Sequence, residues 1–168
     1  MGPLAELLAA GHRQILDFFV AGLRDVSEPL VDERELLYNA SVLAHYAQTS
    51  TACGGGLPTP AALTSVFDCF VLSSEMLGDP VMMETAAAEC LLLSGFFADQ
   101  SRARHNIGWY SQLGAGFFLR AARSEGESAK GQLLTSMASQ FEPWRQRHAR
   151  LSRKLRVQPY LLRLPKAG

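Results

Sequence analysis

A chain of 168 residues that is 48% apolar, with nine Phe, two Trp and four Tyr, is long enough for one domain that buries roughly 70% of the surface of its unfolded form. Its composition excludes the high-charge, low-hydrophobicity class of disordered chains. The 16 basic and 16 acidic side chains cancel only in total: residues 1–142 carry 8 basic and 16 acidic groups, and residues 143–168 carry 8 basic and none acidic, so a cationic end follows an acidic body.

Apolar residues recur at spacings of three and four, and no long stretch alternates at period two, which predicts helices and no strands. A first helix is predicted over about 4–23, with Leu7, Ile15, Phe18, Phe19 and Leu23 as its apolar set and Gly11 weakening its middle. Asp32 followed by Glu35 resembles a capping box and opens a second helix, about 33–50, with Leu36, Ala40, Leu43 and Ala47 on one face. Three consecutive glycines make 51–58 a loop. Thr59-Pro60 and Asp79-Pro80 each set an oxygen-bearing cap before a proline, predicting helices over about 60–76 and 80–98. After a polar break at 99–106, a helix over about 107–123 carries Ile107, Tyr110, Leu113, Phe117 and Phe118 and ends before Ser124 to Gly126. A last helical stretch, about 128–156, contains Pro143, so a kink or break is expected near Glu142. The expectation is an all-α, single-domain bundle of five or six helices, its main body at about 30–142 and its basic C-terminal helix and tail at 143–168.

The C-terminal helix is basic and amphipathic. Trp144, His148, Leu151 and Leu155 share one face, while Arg145, Arg147, Arg150, Arg153, Lys154 and Arg156 crowd the rest of the circumference. Such a helix either docks its apolar face on the body and pairs its cations with the chain's own acids, or offers them to an anionic partner. The arginine face, with Trp144 as anchor where exposed, is the expected partner-binding surface, because Arg and Trp dominate interface energetics. A protein is the expected partner. Nucleic acid is a second reading, weakened by the acidic body. Self-association stays open.

A second block runs through Leu91–Phe97 (L-L-L-S-G-F-F) to Trp109–Phe118 (W-Y-S-Q-L-G-A-G-F-F). Gly95 and Gly114 lie inside helical patterns where Ala would be more stable by about 1 kcal/mol, which points to close backbone approach in a tightly packed hairpin. An alternative reading lines a small-ligand pocket with Phe96, Phe97, Trp109 and Tyr110, and Arg102 or Arg104 at its rim. The pattern Ser94 to Phe97, Arg102, Trp109-Tyr110, Leu113-Gly114 and Phe117 or Phe118 resembles a family of small proteobacterial all-helical proteins of unknown function, over about residues 90–122. This chain reads Trp109-Tyr110 where such relatives tend to have a Tyr pair, and Gly116-Phe117 at their small-then-Tyr step. The resemblance implies a bacterial, helical protein and carries over no activity and no site.

Catalytic and metal constellations do not emerge. None of His12, His45, His105 or His148 has a Glu three residues before it, as a di-iron carboxylate bundle requires. Ser94 lacks the G-x-S-x-G elbow, and Gly54 to Gly56 lack the Gly-Lys-Ser/Thr ending of a phosphate loop. Cys53, Cys69 and Cys90 have no C-x-x-C spacing, which argues against a disulfide framework or thiolate zinc site and fits a reducing compartment. Cys53 has no basic neighbour to activate it, and His45 reads as a core or boundary histidine. No signal peptide is read, because His12, Arg13 and Asp17 interrupt the first apolar run. Residues 36–67 lack charge, but Asn39, His45, Gln48, the glycines and two prolines make them too polar to span a bilayer. The resulting expectation is a cytoplasmic, non-enzymatic regulatory or adaptor protein with no cofactor.

Overall fold

A computed structural model of the chain describes residues 12–52, 80–101 and 107–157. The fold is all-α, with no strand among these residues: α1 (His12–Asp25), α2 (Glu33–Ala52), α3 (Pro80–Leu91), a π-helical turn (Leu92–Phe96), the single-turn α4 (Ala98–Ser101), α5 (Ile107–Glu125), α6 (Ala129–Ser139) and α7 (Phe141–Val157). The helix expected at about 60–76, the glycine loop from residue 53, Cys53, Cys69, Arg102 and Arg104 lie outside the described residues. Contacts group the chain into two compact units, Met1–Pro58 with Arg150–Gly168, and Thr59–Ala149. The boundary between them falls within α7.

In the first unit α1 and α2 pack together. Ile15, Phe19 and Leu23 of α1 and Leu36, Ala40, Leu43, Ala44 and Ala47 of α2 are buried, in the three-and-four spacing that places an apolar stripe inward. Local hydrogen bonds define the corner between the helices. Ser27 donates its hydroxyl to the Leu23 carbonyl (2.6 Å), closing α1. The Asp32 carboxylate accepts from the backbone N–H groups of Arg34 (2.9 Å) and Glu35 (3.1 Å), satisfying two donors that a helix start otherwise leaves orphaned.

In the second unit α5 packs against both α3 and α6. Its buried side is Tyr110, Gly114, Phe117, Phe118, Ala121 and Ala122, facing a core that also holds Met83, Ala87, Cys90, Leu91, Leu134, Met137, Phe141 and Trp144. Close packing occurs at Gly114, where an added Cβ would lie 2.5 Å from the Phe141 ring and 2.8 Å from the Cys90 Cβ. The hairpin expectation of tight approach at small residues is therefore met at Gly114. Gly126, at φ +67°, ends α5 in a conformation that L side chains rarely adopt, and the Ser128 side chain caps α6 by accepting from the Gly131 N–H (3.0 Å).

Two details bear on the sequence expectation, the first as a difference from it and the second in agreement. The helix expected over 80–98 widens after Leu91, where the Phe97 N–H donates to the Leu92 carbonyl at 2.8 Å, an i→i−5 bond. The kink or break expected near Glu142 is a break at Gln140, which leaves Pro143 in the first turn of α7. The first i→i−4 bond of α7 is made by Trp144 to Gln140 (3.1 Å), and a proline in that first turn forfeits no helical bond.

Candidate functional site

The basic helix α7 presents its apolar face inward. Trp144 is 0% exposed, and His148, Leu151 and Leu155 are buried with it. Burial of a ring that removes 150–250 Å² of surface from water is strongly favourable, so Trp144 is a core anchor and not the exposed partner anchor that the sequence allowed for. Burial also pushes the His148 imidazole down to about 3, and it stays neutral at physiological pH.

The cations around this face are largely engaged within their own units. In the second unit, Arg145 donates from Nη1 to the Ser94 carbonyl (2.9 Å) in the π turn and from Nε to Glu142 (2.9 Å). Hydrogen bonds from Arg145, and further ones from Gln146 and Ser111, hold the Glu142 carboxyl down to about 2 against the opposing effect of its partial burial. Gly95 lets the π turn come this close, because a Cβ there would lie 2.9 Å from the Arg145 carbonyl oxygen and from the His148 Cβ. The Arg147 guanidinium lies 4.5 Å from the Trp144 ring centroid, a cation–π contact. In the first unit, Arg150 donates to the Val26 carbonyl (3.3 Å), Lys154 pairs with Asp25, and Leu151 packs against Gly22. Arg153 and Arg156 are exposed, and neither is without an interaction.

The aromatic block is divided between inside and outside. Phe97 and Tyr110 are buried, Phe96 is half-buried, and Trp109 is 43% exposed. Within each adjacent pair the rings meet edge to face, at 5.2 Å for Phe96 and Phe97 and 5.0 Å for Trp109 and Tyr110. Neighbours on a helix point about 100° apart, so Trp109 turns outward while Tyr110 enters the core. The Cys90 thiol is buried and its pKa raised, first by burial and then by the charge of Glu89, which leaves it an unreactive core group. Burial raises the Glu89 carboxyl to about 7. His45 is exposed. Among the described residues no group of three or more His, Cys, Asp or Glu gathers as a metal site, and no helix is long and apolar enough to cross a membrane.

One surface was missed by the sequence reading. The outer side of α5 carries Trp109, Gln112, Gly116, Leu119, Arg120 and Arg123, all exposed. These positions lie three, four and seven apart and form a single stripe opposite the face packed on α3 and α6. Among the described residues neither Arg120 nor Arg123 has an ion-pair partner. A Cβ added at Gly116 would meet nothing within 4 Å, so the helix backbone itself is accessible at the middle of the stripe. Leu119, 37% exposed, adds apolar surface beside it. The signal was present in the spacing of these residues, but Trp109 was grouped with its inward-facing neighbour Tyr110. No protein-family model, no curated protein and no solved structure matches the chain.

Proposed function

We propose that this chain acts without catalysis, as a bacterial cytoplasmic regulatory or adaptor component that binds another protein, and that its contact surface is the outer stripe of α5. The observation that carries this reading is the coexistence, on one helix face, of an exposed Trp109, an exposed Leu119 and two arginines that have no ion-pair partner among the described residues. Aromatic and arginine side chains supply most of the energy at protein interfaces, and a cation already paired with its own chain must lose that pair before it can serve a partner. By that criterion α5 is better suited than α7, whose Arg145 and Lys154 are bound internally.

Photo-crosslinking tests the assignment. A benzophenone amino acid placed at Gln112 or Leu119, with Arg153 as the comparison position, is activated in the native cells. Adducts with protein are expected from the α5 positions and should be lost on Arg123→Glu. Adducts arising only from the Arg153 position would return the contact surface to α7, and an absence of adducts at all three positions would end the reading.

A further inference from the structure

The stripe on α5 is laid out symmetrically about one residue. Trp109 precedes Gly116 by seven positions and Arg123 follows it by seven; Gln112 precedes it by four and Arg120 follows by four. Leu113, half-buried, and Leu119, exposed, stand three positions to either side. With 3.6 residues per turn, displacements of three, four and seven all return to one helical face, and Trp109 and Arg123 end about 21 Å apart along it. The centre of this pattern has no side chain and open space above it.

We infer that the partner of this face is a second copy of the chain, its α5 crossing the first antiparallel about a two-fold axis through Gly116. The inference rests on the reading that α5 is the contact surface. In that arrangement the residue facing each position is its mirror across Gly116. Trp109 meets the partner's Arg123, a cation–π pair made twice; Gln112 meets the partner's Arg120, whose guanidinium donates to the amide oxygen; Leu119 meets the partner's Leu113. Gly116 meets its own copy, and the absence of a Cβ allows the two backbones to approach at the crossing point. A parallel pairing would instead set Arg120 and Arg123 against their own copies, bringing like charges together with no anion between them. A face of one helix is smaller than the roughly 800 Å² per partner of a standard interface, so the dimer is weak and dissociates on dilution.

Self-facing geometry has a specific test. Sedimentation velocity on the full chain over a wide concentration range should show a reversible monomer–dimer equilibrium. Gly116→Lys and Gly116→Glu, each alone, should raise the dissociation constant by about tenfold or more, because each puts bulk and like charge on the axis. An equimolar mixture of the two should associate more tightly than either, since opposite charges then meet across the axis. Both substitutions fall at an open helical position, so circular dichroism should show both chains folded, and Arg123→Ala offers an independent lesion with the same expected loss of dimer. A mixture no better than its components overturns pairing about Gly116. A dimer insensitive to Gly116 and Arg123 alike overturns both the pairing and the α5 surface. A chain that stays monomeric throughout overturns the second-copy inference alone, and the crosslinking from Gln112 and Leu119 then decides the surface by itself.

Discussion

The helices α7 and α5 both carry arginine, and they use it oppositely. On α7 the cations surround a buried tryptophan, and Arg145, Arg147, Arg150 and Lys154 are engaged with a π-turn carbonyl, an indole face, a backbone carbonyl and an aspartate. On α5 only two arginines reach the outer face, and neither has an ion-pair partner among the described residues. The segment with more charge is therefore the one with less of it available. Net charge along a sequence measures potential for attraction; availability depends on which groups the fold has already paired.

The sharpest way to break this contrast is to remove Trp144. If it is the core anchor of α7, Trp144→Ala costs about 3–5 kcal/mol in urea denaturation, whereas Trp109→Ala costs under about 1 kcal/mol; equal costs would erase the distinction between the two tryptophans. Arg145→Ala should come next, at about 1–3 kcal/mol, because it leaves the Ser94 carbonyl without its donor. Arg123→Ala should move stability by no more than about 0.5 kcal/mol.

Gly114 and Gly116 offer a paired test within one helix. Gly114→Ala drives a methyl against Phe141 and Cys90 and should destabilise by about 1–3 kcal/mol. Gly116→Ala meets nothing and should stabilise by up to about 1 kcal/mol through helix propensity alone. Thermal melts of the two variants should shift in opposite directions.

A separate pair of effects concerns pH. The neutral, buried His148 has its folded pKa lowered from about 6.5 to about 3. The unfolded chain binds the extra proton in that window, so stability is complete above about pH 6.5 and falls as the pH drops toward 3. Glu89 acts in the other direction: its folded pKa is raised to about 7, the folded chain binds the extra proton, and stability falls as the pH rises from about 4.5 to 7. Denaturation midpoints across pH 4–8 should rise less steeply with pH for His148→Gln and more steeply for Glu89→Gln than for the parent chain.

Much of this architecture was legible before any coordinates. The Asp32 start of α2, the stop of α5 at Gly126 and the close approach at Gly95 and Gly114 each follow from a local rule: an oxygen beside orphaned N–H groups, a backbone at positive φ, a missing Cβ. The face shared by Trp144, His148, Leu151 and Leu155 could also be read from spacing, but its direction could not, because inward and outward docking of an amphipathic helix have the same periodicity. The π turn was hidden for a different reason. The run Leu91–Phe97 is apolar nearly throughout, so its hydrophobic pattern has no phase that an extra residue could visibly disturb. The stripe on α5 was obscured by adjacency in sequence, which made Trp109 and Tyr110 look like one feature when the helix separates them into outside and inside.

The π turn also sets how the chain tolerates changes in length. Its i→i−5 bond accommodates one residue more than an α-helical turn would hold, and α3 therefore enters Phe97 and Ala98 with a shifted rotational phase. Loss of one residue between Leu92 and Phe96 would let the segment relax into continuous α-helix with Phe97 in nearly its present rotational phase, because the π turn already sets Phe97 where the fourth residue after Leu92 lies in a regular helix. A single-residue deletion between Cys90 and Ala98 should accordingly be borne with the flanking faces kept, whereas one in the regular turns of α3 would rotate everything beyond it in that helix by roughly 100°.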